Sequence, residues 1–174
     1  MLITLSGLPG SGTSTVARLV ADRLGLEHVD GGTIFRALAT ERGVSLARFA
    51  ELAELDDSID KALDDRLTRL ALDGDVLLES RLAGWLAHRS TALGLRVWID
   101  CDEVERARRV ADRDVHHVDD ALETNRVREA SERARYLAYY GIDLTDLSVY
   151  DLVLDSTSRA PELLVTDIVA AAAA

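Results

Sequence analysis

The stretch LITLSGLPGSGTST, Leu2 to Thr15, constrains this chain more than any other. A short apolar run, Leu2–Ser6, stops at Gly7; glycines return at Gly10 and Gly12; from Thr13 onward Val16, Leu19, Val20 and Leu24 recur every three to four positions until Gly25. The first pattern reads as a buried strand and the second as an amphipathic helix with a glycine stop. A strand that feeds a helix through a glycine loop turns backbone N–H groups toward one point with the helix dipole behind them, which makes a cradle for phosphate. Gly7–Ser14 fits the pattern G-x-x-x-x-G-K-[ST] at every position but one. Thr13 stands where lysine is expected, so either the loop binds without catalysing or its positive charge comes from elsewhere in the chain.

The alternation continues. Glu27–Val29 reads as a second strand that runs into Asp30-Gly31-Gly32, and Ile34, Phe35 and Leu38 then mark a helix. Ser45–Leu72 is helical by periodicity, in two or three helices. Val76–Leu78 and Arg96–Ile99 are the next strands, separated by the amphipathic Leu82–Thr91. Glu103–Asp112 and the arginine-rich Asp119–Tyr139 read as helices, Asp151–Leu154 as the fifth strand, and Pro161–Ala174 as a closing helix with proline in its first turn. This order predicts an α/β fold of the P-loop NTPase type, three layers with a five-stranded parallel sheet and helices on both faces. With 174 residues and no Pro/Gly/Ser-rich linker, a single domain over 1–174 is expected.

Charge narrows the partners. Asp and Glu total 31 against 20 Lys and Arg, a net charge of -11, and Lys61 is the single lysine. Such a surface repels nucleic acid and anionic lipid, so any anionic ligand must sit in a locally basic pocket, and no nucleic-acid or membrane partner is expected. Acidic surplus with almost no lysine suits molar salt, where screening relieves self-repulsion, and predicts a halophilic source. The start MLITLSG has no basic n-region or cleavage site, no apolar run is long enough for a bilayer, and Cys101 has no second cysteine to pair with. A cytoplasmic monomer is expected. Cys101, Trp85, Trp98 and the cluster Tyr136, Tyr139 and Tyr140 read as packing residues, and His116-His117 lacks the spaced partners of a metal site.

Several further motifs bear on chemistry. DGGTIFRALA places Arg36 two turns into a helix behind a glycine pair, and VLLESRLAGW puts Glu79 and Arg81 at the C-terminal edge of a strand, where open parallel sheets bind ligands. Arg109 and Arg113 lie one helical turn apart, and Arg128, Glu132 and Arg135 keep an R-x-x-x-[DE]-x-x-R spacing that stacks them on one side of a helix. In order along the chain, GLPGSGTST, DGGTIFR, LESRLAGW, the arginine-rich helix, and YYGID followed by YDLVLDSTS closely resemble the archaeal type of cytidylate kinase, a P-loop nucleoside monophosphate kinase. The resemblance runs from Gly7 to the last strand. Threonine at the lysine position is usual in that family, so Thr13 does not by itself mark a dead enzyme.

The resemblance implies roles residue by residue. Gly7, Gly10, Ser11, Gly12, Thr13, Ser14 and Thr15 would hold the ATP phosphates, with Ser14 on Mg2+ and Glu79 beside the metal's shell. Arg36 and Arg81 would clamp the phosphate of the acceptor CMP or dCMP, Asp30 would orient the acceptor site within a helical insert of about 34–72, and Glu132 would join the substrate contacts. Arg109, Arg113, Arg128 and Arg135, in a lid of about 109–135, would bring the charge that Thr13 lacks; an arginine so delivered is worth roughly 10³ to 10⁵ in rate. The residues themselves leave two alternatives: a kinase of another acceptor (AMP, UMP or a non-nucleotide alcohol), or a nucleotide-binding module without turnover. Asp56, Asp57, Asp60, Lys61 and Arg66 are candidate base readers, with no basis for choosing among them.

Overall fold

The computed structural model of the chain describes residues 1–114 and 117–174. Its strands are β1 (Leu2–Gly7), β2 (Glu27–Asp30), β3 (Val76–Glu79), β4 (Leu95–Asp100) and β5 (Leu152–Asp155). They form one sheet in the order β2-β3-β1-β4-β5 with every neighbouring pair parallel, as the alternation of patterns requires. The helices are α1 (Thr13–Leu24), α2 (Gly31–Glu41), α3 (Leu46–Leu55), α4 (Ser58–Asp73), α5 (Ala83–Arg89), α6 (Glu103–Asp114), α7 (Val118–Tyr140) and α8 (Pro161–Ala172).

Side chains alternate across a strand, so Ile3 and Leu5 serve one face of the sheet and Leu2 the other. The first face, with Leu77, Val97 and Ile99, packs against Val16, Ala17 and Val20 of α1 and Leu164, Val165 and Ile168 of α8. The second, with Val76 and Leu78, is covered by Leu67 and Ala71 of α4 and Ala83 and Ala87 of α5. Burial on both sides explains why these strands read as near-continuous apolar runs. Two satellite clusters hold the outer helices. Phe49, Ala53, Ala39 and Ile59 tie α2, α3 and α4 together, and Ala107, Ala111 and Ala121 let α6 and α7 approach closely.

Most element ends shift by one or two residues from the sequence reading, and one shift bears on the site. Helix α2 begins at Gly31, three residues before Ile34, because the Asp30 carboxylate accepts the Gly32 N–H at 2.8 Å and draws the glycine pair into the first turn. The tyrosine cluster lies inside α7, where Tyr136 is buried. His116 falls outside the described residues, whereas His117 stands at the N-cap of α7.

Strand β1 has β3 on one side and β4 on the other: the chain builds β2 and β3 on one side of β1, then crosses it to build β4 and β5 on the other. The crevice at the carboxyl ends of the strands beside such a switch point is where open α/β sheets bind ligands. The glycine loop follows β1, Asp30 ends β2, and Glu79 and Arg81 end and follow β3.

Candidate active site

The loop is shaped by two left-handed glycines, Gly10 at φ 83° and Gly12 at φ 89°. At Gly10 a Cβ would also stand 2.5 Å from the Arg106 carbonyl oxygen, so conformation and space both demand glycine. Gly12 caps α1, whose first turn carries no acidic side chain, and the N–H groups there remain for an anion. Thr13 is buried, and its methyl lies 2.8 Å from where a Cβ on Gly7 would be; the residue at the lysine position packs down on the end of β1.

Ser14 leads to the acid behind the loop. Its hydroxyl donates to Glu79 Oε1 at 2.6 Å, which leaves the oxygen's lone pairs for a cation. Glu79 is itself buried. Among the described residues no three His, Cys, Asp or Glu side chains gather where they could hold a metal. A divalent cation here would therefore rest on Ser14, phosphate oxygens and water, a set of hard oxygens that fits Mg2+. Ser11 Oγ, buried in the loop, has no hydrogen-bond partner in the structure.

On the acceptor side, Asp30 accepts from the Thr33 hydroxyl and from Arg36 Nη2 at 3.2 Å, and Arg36 also donates to Thr33 Oγ1 at 2.7 Å. Arg36 is thereby aimed along α2, with most of its guanidinium in solvent. Arg81 is held more firmly, with Nη1 donating to the Gly7 carbonyl at 2.5 Å and Nε to Glu132 Oε2 at 2.8 Å. Glu132 takes Arg128 Nε on its other oxygen, also at 2.8 Å. Burial alone would raise the Glu132 carboxyl; Arg81 and Arg128 outweigh it and hold the group below its ordinary range. Arg81, Arg128 and Glu132, 51 positions apart in the case of Arg81 and Glu132, thus form one unit beside the first loop glycine. Arg135 turns away from this unit and donates to the buried Asp60 at 2.8 Å.

The arginines of α6 diverge. Arg109 reaches the loop: it donates to the carbonyls of Ser156 at 2.6 Å and Ser11 at 3.4 Å, and its Nη1 lies 3.6 Å from where a Cβ on Gly12 would be. With Thr15, Ser156, Arg159 and Pro161 it lines a cleft of about 270 Å³ beside the loop. Arg113 instead pairs with Asp114 and is 70 % exposed. The structure does not bring it to the loop: it lies one turn further along α6 and pairs with the carboxylate of the next residue.

Sequence reasoning missed Arg106, whose side chain is 5 % exposed. It donates to the carbonyls of Pro9 and Cys101, each at 3.2 Å, and pairs with Glu129 of α7, which straps the loop to α6 and α7. Only its apolar neighbours Ala107 and Ala111 hint in the sequence that this arginine faces inward. The candidate base readers are mostly engaged elsewhere. Asp56 accepts the Ser58 N–H, Asp57 pairs with Lys61, Asp60 pairs with Arg135, and Arg66 lies exposed. Beside Asp60, burial pushes the Asp64 carboxyl up to about 7 although the Tyr140 hydroxyl donates to it at 2.7 Å.

A phosphate loop, a hydroxyl backed by a buried acid and an arginine clamp at one sheet edge are features that many kinases share, and the comparisons with known proteins decide among them. The model of the cytidylate kinase-like family matches residues 2–158. The chain belongs to that family. It is 51 % identical to a cytidylate kinase of Haloquadratum walsbyi, an alignment that covers 100 % of this chain and 90 % of the relative. It is 48 % identical to a cytidylate kinase of Halobacterium salinarum over 97 % of this chain and 87 % of that one. Both relatives are haloarchaeal, in keeping with the acidic composition. Among solved structures, a gluconokinase from Sinorhizobium meliloti superposes with a TM-score of 0.63 at 18 % identity, covering 98 % of this chain and 90 % of that one, and shares the fold. As a member of the cytidylate kinase-like family the chain carries the P-loop kinase architecture expected from its sequence. No helix among the described residues is long and apolar enough to cross a membrane.

Proposed function

We propose that the chain is a cytidylate kinase that moves the γ-phosphoryl group of ATP to CMP, and to dCMP, with Mg2+. The observation that carries this reading is the hydrogen bond from Arg81 to the carbonyl of Gly7, which sets an acceptor arginine against the donor loop. The guanidinium remains planar and charged there, suited to a phosphate's paired oxygens.

In the reaction the bond between the γ-phosphorus and its bridging oxygen breaks, ADP leaves with that electron pair, and a phosphate oxygen of CMP forms the new bond that gives CDP. Little covalent assistance is needed; positioning and charge do most of the work. The N–H groups of Gly10 to Thr15 and the start of α1 would hold the β- and γ-phosphates, and Ser14 would help hold Mg2+, which would supply positive charge to offset the charge of the phosphates. Arg81, steadied by Glu132, would align the acceptor phosphate with Arg36 and Arg128. Arg109 would bring positive charge to the donor side, in place of the lysine that Thr13 replaces. Asp30 would set the start of α2 and Arg36 with it. Closure of α6 and α7 over the cleft would exclude water, so that CMP receives the phosphoryl group.

ADP release measured in molar KCl with CMP, dCMP, UMP, AMP and no acceptor tests the reading. Turnover confined to CMP and dCMP is expected. Faster turnover with AMP or UMP would move the assignment to that acceptor, and none with any acceptor, from a folded sample, would leave a nucleotide-binding module.

A further inference from the structure

Glu79 has two oxygens, and only one is explained by Ser14. The other, Oε2, lies 2.9 Å from Nε2 of His28. The side chains of Glu79 and His28 are 7 % and 23 % exposed, so little water competes for this contact. A carboxylate engaged in accepting the Ser14 proton can only accept again, which makes the imidazole the donor with its hydrogen on Nε2. His28 sits on the edge strand β2, opposite Leu77, two residues before Asp30 on the same face of that strand. The line of contacts Ser14, Glu79, His28 therefore runs from the donor loop across β3 to the strand that delivers the acceptor helix.

We infer that His28 is a positioning residue for the metal-ligating hydroxyl of Ser14, acting through Glu79. A carboxylate with one oxygen bonded can swing about its side-chain torsions; a ring fixed on a strand and donating to the second oxygen stops that swing. Groups that orient a metal's ligands in this way typically change metal affinity 10- to 100-fold when removed. The inference rests on the kinase reading only as far as Ser14 and Mg2+; it is independent of the acceptor.

The test is calorimetric titration of ADP into the full chain, with Mg2+ and with EDTA, without any acceptor. The quantity read is the gain in affinity that Mg2+ confers. His28→Ala is expected to cut that gain roughly 10-fold and to leave affinity in EDTA unchanged, while His28→Gln, whose amide can donate to Glu79, restores most of it. Glu79→Ala should cut the gain at least as much, and adding His28→Ala to it should cost nothing more. Equal losses in Mg2+ and EDTA, losses that add in the double variant, or no Mg2+-dependent gain in the unaltered protein would each overturn the inference. A protein that shows the expected pattern but phosphorylates no CMP would retain it and lose the cytidylate kinase reading.

Discussion

The two halves proposed for the cleft, donor and acceptor, are built on different principles. The donor half is nearly contiguous in sequence: Gly7 to Thr15 hold their shape by backbone conformation, and the loop's anion-binding groups are N–H groups at the start of α1. The acceptor half is assembled from side chains far apart in sequence. Its arginines are fixed beforehand by acids: Arg81 by Glu132 of α7, Arg128 by the same Glu132 one turn along its own helix, and Arg135 by Asp60 of α4. In a chain with net charge -11 this has a consequence, because arginines and carboxylates there are balanced against each other before any substrate arrives. Removing a donor-side group should weaken binding, whereas removing an acceptor-side arginine should also strand a buried charge.

Arg81→Ala gives the largest expected break. It removes the contact to Gly7 and one of the two partners of a buried Glu132, and kcat is expected to fall roughly 10³-fold, as for an arginine that serves the transferred group. The melting temperature should fall as well, since the buried Glu132 is left with Arg128 alone to offset its charge. Adding Glu132→Gln separates the two effects: the melt should recover and the turnover should not. Turnover that returns together with stability would reduce Arg81 to a structural residue.

The acceptor half also predicts a pH dependence near neutrality. Burial raises the Asp64 carboxyl to about 7 from an ordinary value of 3.8, with Tyr140 working in the opposite direction. The folded state therefore binds this proton more tightly than the unfolded state does. Its contribution is fully present below pH 4, is lost as pH rises toward 7, and is flat beyond. The total is at most about 4 kcal/mol at 1.4 kcal/mol per pH unit. Asp64→Asn cannot ionise, so urea unfolding from pH 5 to 8 should show its stability rising relative to the unaltered chain by about 1 kcal/mol per pH unit below 7. Parallel profiles would place the site in contact with water.

The same division governs what could be read from the sequence. The five strands, the glycine loop, and the Asp30 and Arg36 motif are local patterns, and each was visible as spacing between neighbours. Where the acceptor half depends on pairing within one helix, as between Arg128 and Glu132, spacing gave a signal; for pairs between distant segments it gave none. Asp60 and Arg135 are 75 positions apart, Asp64 and Tyr140 are 76, and nothing in either segment names the other. His28 is a lone histidine in a four-residue strand, and Arg106 is one of several arginines in a helix that reads as mostly charged. Helical periodicity does not by itself say which partner holds an arginine. It grouped Arg113 with Arg109, although the carboxylate of Asp114 holds Arg113 in solvent.

That grouping supplies the finest test of the comparison. Arg109 donates to the carbonyls of Ser156, Thr157 and Ser11, and it lines the cleft beside the loop. Arg109→Ala is expected to raise the KM for ATP about 10-fold, equivalent to about 1.4 kcal/mol, with the KM for CMP unchanged. Arg113→Ala removes only an exposed pair, worth at most about 1 kcal/mol, and should alter kcat by no more than about 2-fold. Steady-state kinetics on the two variants decide the matter because both act from the same helix. If Arg113→Ala lowers kcat as far as Arg109→Ala does, α6 must turn during closure to bring the second arginine to the phosphates. The charge missing at Thr13 would then come from two residues, delivered only when the cleft is shut.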